Sequence, residues 1–370
     1  MLPDNLIYQI ALTLIPKVGS YTAKTLISYC GGVNEIFKMP KSKLLKIPNI
    51  GEKIASSITD FKEALKKAEK EIEFIQKHGI RPMFYLDKDY PYRLKSIQDA
   101  PIMLYYKGNA NLNQDRIISI VGTRKATDYG KKICNRLIEE LAGHQVVVVS
   151  GLAYGIDHAA HQACLQHQVP TLGVLAHGLD RIYPPAHQKL ASAMLENGGL
   201  ITEYISKTKP DKVNFPNRNR IIAGISDATV VVETRQTGGS MITAQIANSY
   251  NRSVFAFPGR TTDLFSSGCN YLVKKNLANL VEYAKDITDN MMWPDSSQKA
   301  ESTQKQMFVE LEPDEELIVN TLKKADNNEL HLENLWAQTQ LSPGMTAAAL
   351  ISLEFKGLVR PYPGKIYRLC

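Results

Sequence analysis

"RIISIVGTRKATDYGKKICNRLIEELAGHQVVVVSG", residues 116–151, holds the pattern that decides the fold. A nearly continuous apolar run ends at Gly122, an amphipathic stretch covers residues 129–143, and a second apolar run ends at Gly151. Apolar runs of strand length without polar alternation belong to strands buried on both faces, and the intervening helices supply the cover. The alternation continues outward through "PTLGVLA" (170–176), "GGLITEY" (198–204), "ATVVVET" (228–234) and "SVFAFPG" (253–259), with helical stretches at 155–168, 186–198 and 240–251. Strands alternating with helices predict an α/β fold, an extended Rossmann-like, doubly wound, mostly parallel sheet.

The 370 residues exceed one ordinary domain, so further domains flank this core. Upstream, "IPKVGSYTAKTLI" (15–27) and "IPNIGEKIASSI" (47–58) repeat one pattern: Pro, a turn, Gly, then a small Ala one helical turn later. Two helical hairpins of helix-hairpin-helix type are expected, with Lys17 and Asn49 where such turns usually carry their first Gly. The hairpins either offer helix N-terminal amides to a phosphate or repeat for structural reasons alone. The charged run at 62–77, "KEALKKAEKEIEFIQK", interleaves Lys and Glu at helical spacing and reads as a solvated, self-paired face.

Downstream, residues 289–313 are polar and unpatterned, as a linker is. Three helical segments follow (314–325, 331–340 and 342–358), the last with Ser342 as N-cap and Pro343 at its first position. Two short strands around Pro363 and Gly364 complete the order of a winged helix. Its third helix carries little charge beyond Glu354 and Lys356, which leaves protein docking open beside DNA reading. The expected boundaries are 1–75 for an all-helical, sterile-alpha-motif-like domain with the hairpins, 76–288 for the sheet domain, 289–313 for the linker and 314–370 for the winged helix.

The chain carries 44 Lys+Arg against 37 Asp+Glu, a net charge of +7, which points to a polyanion only where the cations cluster. Five scattered cysteines (Cys30, Cys134, Cys164, Cys269, Cys370) form no C-x-x-C pair, so reduced thiols in a cytoplasmic protein are expected rather than a disulfide framework or zinc ribbon. The N-terminal "LIYQIALTLI" is too short to span a bilayer and reads as a core helix, so no membrane partner is expected.

An open parallel sheet binds its ligand outside the carboxyl ends of its strands. The segments there, including "VGTRKATDYG", "SGLAYGIDHAAH", "HGLDRIYPPAH" and "ETRQTGGSMITA", combine Gly and hydroxyl residues ahead of helices, a pattern that presents amides to anions. Arg124 and Lys125 add fixed charge, and Thr123, Ser150, Thr237, Ser240 and Thr243 suit hydrogen bonding to phosphate or backbone. Neither G-x-G-x-x-G after the first strand nor G-x-x-x-x-G-K-[ST] occurs, so no dinucleotide cofactor or nucleotide triphosphatase is indicated. Asp157, His158 and His161 lack a further ligand at metal spacing and read as a capping Asp and packed His; Glu203 and Glu233 are possible acids without a nucleophile beside them. Between the fourth strand and the next helix, Lys207, Lys209, Lys212, Arg218 and Arg220 stand against Asp211 alone, with Phe215 among them. Cations along a backbone and an aromatic face for a base are what single-stranded nucleic acid requires; a core-anchoring Phe215 with solvated charges is the alternative.

The motifs "SGLAYGIDHAAH", "GLDRIYPPAH", "NFPNRNRIIAGISDATVVVE" and "TGGSMITAQIA", in this order after "VGTRKATDYG", closely resemble the DNA-processing protein A (DprA/Smf) family over residues 108–287. The resemblance implies a non-enzymatic, cytoplasmic homodimer without a cofactor. It would bind single-stranded DNA and load the recombinase RecA onto incoming DNA during natural transformation. It also implies a binding pocket containing Arg124, Lys212 and Phe215, with Gly122, Thr123, Gly151 and Gly155 on phosphate-facing loops and Arg218 and Arg220 in the "RNR" motif. Two residues depart from the family: His177 replaces a small or thiol residue, and Tyr154 stands where Arg is common. A nucleoside-monophosphate phosphoribohydrolase of the LOG type is a rival on the same topology, but its acidic residue is missing after the Thr-Gly-Gly turn at 237–239. A winged-helix transcription regulator is the other, and it would prefer duplex DNA.

Overall fold

The computed structural model describes residues 5–293, 311–325, 328–362 and 365–369. The chain divides into two compact units, residues 1–295 and 296–370.

The first unit opens with six helices: α1 (Leu6–Leu14), α2 (Ser20–Cys30), α3 (Val33–Lys38), α4 (Lys41–Leu44), α5 (Glu52–Thr59) and α6 (Lys62–His78). The two repeats are the turns leading into α2 and α5. Lys17 (φ 66°) and Asn49 (φ 65°) adopt the left-handed conformation that glycine usually takes in such a turn. The backbone geometry of the hairpin therefore survives both substitutions. The repeated alanines, Ala23 and Ala55, are fully buried where the helices approach. On α6 the solvated face holds for the exposed Glu63–Lys67 pair, but not for Glu71, which is buried.

Nine strands form the sheet: β1 (Arg81–Phe84), β2 (Met103–Gly108), β3 (Ile117–Val121), β4 (Val147–Ser150), β5 (Thr171–Val174), β6 (Gly198–Thr202), β7 (Ala228–Val231), β8 (Ser253–Ala256) and β9 (Asn279–Leu280). Their order is β1-β2-β6-β5-β4-β3-β7-β8-β9. The run from β6 to β9 is parallel throughout, while β2 meets β6, and β1 meets β2, in antiparallel register. The six apolar runs of the sequence are β3 to β8. Alternate residues of β3 enter different cores. Ile117 and Val121 pack with α11 (Asn214–Ile225), α12 (Gly239–Ser249) and α13 (Ser267–Lys274). Ile118 and Ile120 pack with α8 (Asp128–Leu141), α9 (Ile156–Gln166) and α14 (Ala284–Asn290). Helices thus cover both faces, as doubly wound topology requires, with α10 (Gln188–Met194) against β5 and β6 and the short α7 (Tyr92–Lys95) against α11. The core of the N-terminal helices runs on into Phe84, Met103 and Tyr105 of the antiparallel edge.

The second unit contains helices Pro313–Lys323, Leu332–Thr339 and Pro343–Phe355, with an antiparallel sheet β10 (Glu329–His331), β11 (Val359–Tyr362) and β12 (Ile366–Leu369) in the order β10-β12-β11. Ser342 caps the third helix by accepting from the Met345 amide at 3.3 Å, with Pro343 at the first position. The expected linker residues 294–310, the turn residues Pro363 and Gly364, and Cys370 lie outside the described residues.

Candidate nucleic-acid interface

Strands β4, β5 and β6 step away from β3 on one side, and β7 returns to lie beside β3 on the other. The loops after β3 and β7 part at this switch, leaving a crevice at the carboxyl ends. Its volume is about 710 Å³, and its walls include Thr123, Arg124, Lys125, Lys212, Phe215 and Arg235.

The loop after β3 is held by its backbone. The Thr123 amide donates to Glu233 O at 2.7 Å, the Ile156 amide donates to Thr123 O at 3.1 Å, and Thr123 Oγ1 accepts from the Lys125 amide at 3.1 Å. Arg124 and Lys125 project from this anchored loop into solvent. Gly155 (φ 78°) allows the close approach on the neighbouring loop: a Cβ there would meet the Arg124 carbonyl carbon at 2.6 Å.

The Arg124 guanidinium lies 5.4 Å from the ring centroid of Phe215, which is half-buried at the start of α11. Tyr183 packs on Phe215 with ring centroids 5.9 Å apart. On the opposite wall α12 begins at Gly239, so the positive end of its dipole faces the crevice. Arg235, over the Phe265 ring at 4.9 Å, is a cation the sequence reading passed over. Its position in the loop that follows a strand, like that of Arg124, is the signal that marks it.

The basic loop 206–213 is tied down at its root. Glu71 of α6 accepts from the Ser206 amide at 2.9 Å and from its hydroxyl at 2.5 Å, while Asp180 accepts from the Lys207 amide at 2.8 Å. Burial pushes the Glu71 carboxyl up, and the Ser206 bonds oppose that rise. Beyond these anchors Lys207, Lys209 and Lys212 are exposed.

The two arginines of "RNR" part company. Arg218 is buried at 4% exposure and donates to Gly151 O at 2.6 Å and to Val174 O. Burial lowers its pKa to about 10, with Asp157 raising it and Arg124 lowering it. It remains a cation at neutral pH beneath the crevice floor and ties the end of β5 to the loop after β4. Gly151 is dictated by this contact, since a Cβ would sit 2.7 Å from the guanidinium carbon. Arg220 lies elsewhere, paired with Glu203 at 2.5 Å beside the Asp99 carbonyl, in a second cavity shared with Gly19 and Ser20. The crevice therefore gathers Gly122, Thr123, Arg124, Lys125, Lys212, Phe215 and Arg218; Gly151 and Gly155 support it from behind, and Arg220 is apart.

The carboxylates near the strand ends have structural partners. Glu233 accepts from the Thr127 amide at 3.0 Å and from its hydroxyl, and Thr127 caps α8 by accepting from the Gly130 amide at 3.2 Å. Asp157 is pushed up by burial and accepts from the Ala153 amide at 3.3 Å. His161 is buried against Thr171 Oγ1 at 2.7 Å, and burial drives its pKa down to about 3. His177 is also buried, with Nδ1 donating to Gly178 O at 2.9 Å. Among the described residues, no three His, Cys, Asp or Glu side chains are grouped to hold a metal. No described helix is long and apolar enough to cross a membrane.

Residues 81–292 match the family model described as DNA recombination-mediator protein A, residues 9–69 a helix-hairpin-helix motif, and residues 303–365 a DprA winged helix domain. The chain is 31% identical to protein Smf of Synechocystis over 98% of both chains. It is 40% identical to DNA processing protein DprA of Bacillus subtilis over 58% of this chain and 73% of the relative. The X-ray structure of DNA processing protein A from Streptococcus pneumoniae superposes with a TM-score of 0.66 at 31% identity, covering 78% of this chain and 98% of the other. DNA processing protein A from Helicobacter pylori, whose structure is described for its single-stranded DNA binding mode, gives a TM-score of 0.53 at 28% identity over 58% of this chain and 95% of the other. On sequence and fold together, the chain belongs to the DNA recombination-mediator protein A family.

Proposed function

We propose that the crevice between the β3 and β7 ends holds single-stranded DNA, as a mediator that protects incoming strands and loads RecA onto them during natural transformation. The observation that carries this reading is the Arg124 guanidinium over the half-buried Phe215 ring at the mouth of a cationic crevice. In this assignment Arg124, Lys125, Lys212 and Arg235 meet phosphates, Phe215 stacks on a base, Gly122 and Thr123 shape the phosphate-facing loop, and Arg218, Gly151 and Gly155 hold the crevice in shape. Arg220 is assigned to the Glu203 pair instead. The relative from Helicobacter pylori, described for single-stranded DNA binding, supports the choice of ligand. Binding without catalysis is favoured because neither carboxylate lines the crevice: Glu233 is engaged by Thr127, and Glu203 sits with Arg220 in the separate cavity. A homodimer in the cytoplasm completes the proposal.

Fluorescence anisotropy with a labelled oligothymidylate and a duplex of equal length, at two salt concentrations, tests it. Tighter, salt-sensitive binding of the single strand is expected, because neutralised phosphates release counterions. Equal affinity for both, or release of adenine and ribose 5-phosphate from AMP, would overturn it.

A further inference from the structure

A groove of about 590 Å³ lies outside the crevice, lined by Lys131 and Asn135 of α8, His158, Gln162 and Gln166 of α9, and Tyr154. Apart from Gly155, nothing in the crevice assignment uses its lining. The two cavities share one partition, residues 153–158: Ala153 and Asp157 line the crevice, whereas Tyr154, Gly155 and His158 line the groove. Gly155 lies directly against the Arg124 backbone, so the cationic loop after β3 forms the lip between the two.

Tyr154 is 50% exposed and yet held. Its ring meets His187 edge-on, with centroids 4.9 Å apart, and the His187 ring is itself fixed by Nδ1 donating to Leu152 O at 2.9 Å. The His158 ring also packs on His187, tilted, with centroids 4.6 Å apart. An exposed aromatic ring held on a buried one is a preorganised stacking platform, because little side-chain freedom remains to be lost on binding. Around it, Gln162 and Gln166 are amides that can both donate and accept, Asn135 has its oxygen bonded to His167 Nε2 at 3.1 Å and keeps its amide N–H groups, and Lys131 is an exposed cation whose pairing with exposed Asp128 is of the weak surface kind. Ring, amides and one cation suit a nucleobase and its phosphate, and not an apolar ligand.

We infer that the α8–α9 groove is a second nucleotide subsite, in which a single strand leaving the crevice over Arg124 and Lys125 stacks a base on Tyr154. The inference rests on the single-strand reading of the crevice and lengthens the path that reading gives.

Anisotropy on the full chain, with oligothymidylates from about 4 to about 16 nucleotides, separates the two ideas. Tyr154→Ala should weaken the longest oligonucleotides about tenfold, as loss of one stacked base does, and leave the shortest little affected. Tyr154→Phe and Tyr154→Trp should keep wild-type affinity at every length, which a mere folding defect would not permit. Arg124→Ala should weaken short and long strands alike. If Arg124→Ala weakens binding and Tyr154→Ala changes no length, the groove is not a subsite while the crevice reading stands. If Tyr154→Ala weakens all lengths equally, Tyr154 supports the Arg124 loop and the subsite is refuted. If neither variant changes affinity, both readings fail.

Discussion

The crest of the sheet and the third helix of the C-terminal unit are two places where this chain could meet a polynucleotide, and they are made of opposite materials. The crest gathers Arg124, Lys125, Lys212 and Arg235 around a half-buried aromatic ring. The helix Pro343–Phe355 turns Met345, Ala347, Ala348, Ile351 and Phe355 outward, with Phe355 90% exposed. On the proposed reading a polyanion is drawn to the first by charge and held there by stacking; the second presents an exposed Phe355 ring, but its outward residues carry no cation to draw a phosphate backbone to it. A winged helix in outline is thus not a DNA reader by outline alone, because groove readout needs Arg, Lys, Asn or Gln on that helix.

The largest effect that would sharpen this contrast lies beneath the crest. Arg218→Met removes the guanidinium that bridges Gly151 and Val174 and leaves Asp157 buried without its cation, so a loss of about 3–5 kcal/mol is expected in thermal or denaturant unfolding of the first unit. Next come Arg124→Ala and Lys212→Ala. Each should weaken every single-stranded sequence and lower the magnitude of the slope of log affinity against log salt by about 0.7, the contribution of one phosphate on a single strand. Phe215→Leu should cost about 1–3 kcal/mol of binding with that slope unchanged, which distinguishes a stacking ring from a charge. Smallest is Phe355→Ser in the C-terminal unit: single-strand affinity should stay within about 0.5 kcal/mol of wild type, as for surface positions away from a site. A larger loss there would break the contrast between the two regions.

Strands β3 to β8 were legible because they are buried on both faces and read as nearly continuous apolar runs, broken only by single small or hydroxyl residues such as Ser119 and Thr229. Strands β1, β2 and β9 were not: β1 is four residues with a proline, β9 is two exposed residues, and β2, though apolar, stands outside the strand–helix alternation and joins the sheet by antiparallel pairing. Most of the crevice was legible for a topological reason, since an open α/β sheet places its ligand after its strands wherever those strands are recognised. The roles of Arg218 and Arg220 were not separated, although two residues on a helix turn about 200° and must place one side chain inward if the other points out. Glu71 was grouped with the solvated face of α6, yet the buried positions Ala64, Ala68, Glu71 and Ile75 recur at helical spacing and put it on the inward stripe. In both cases the missing information was which side of a helix met the rest of the fold, a property of packing that charge composition does not carry.

The account stands most directly on where a bound single strand touches the protein. Photo-crosslinking of an oligonucleotide carrying 5-iodouracil, followed by peptide mapping on the full chain, reads that contact at aromatic side chains. The account predicts adducts in the peptide containing Phe215 that disappear in Arg124→Ala. Adducts confined to the C-terminal helix and its strands, residues 342–369, would contradict it.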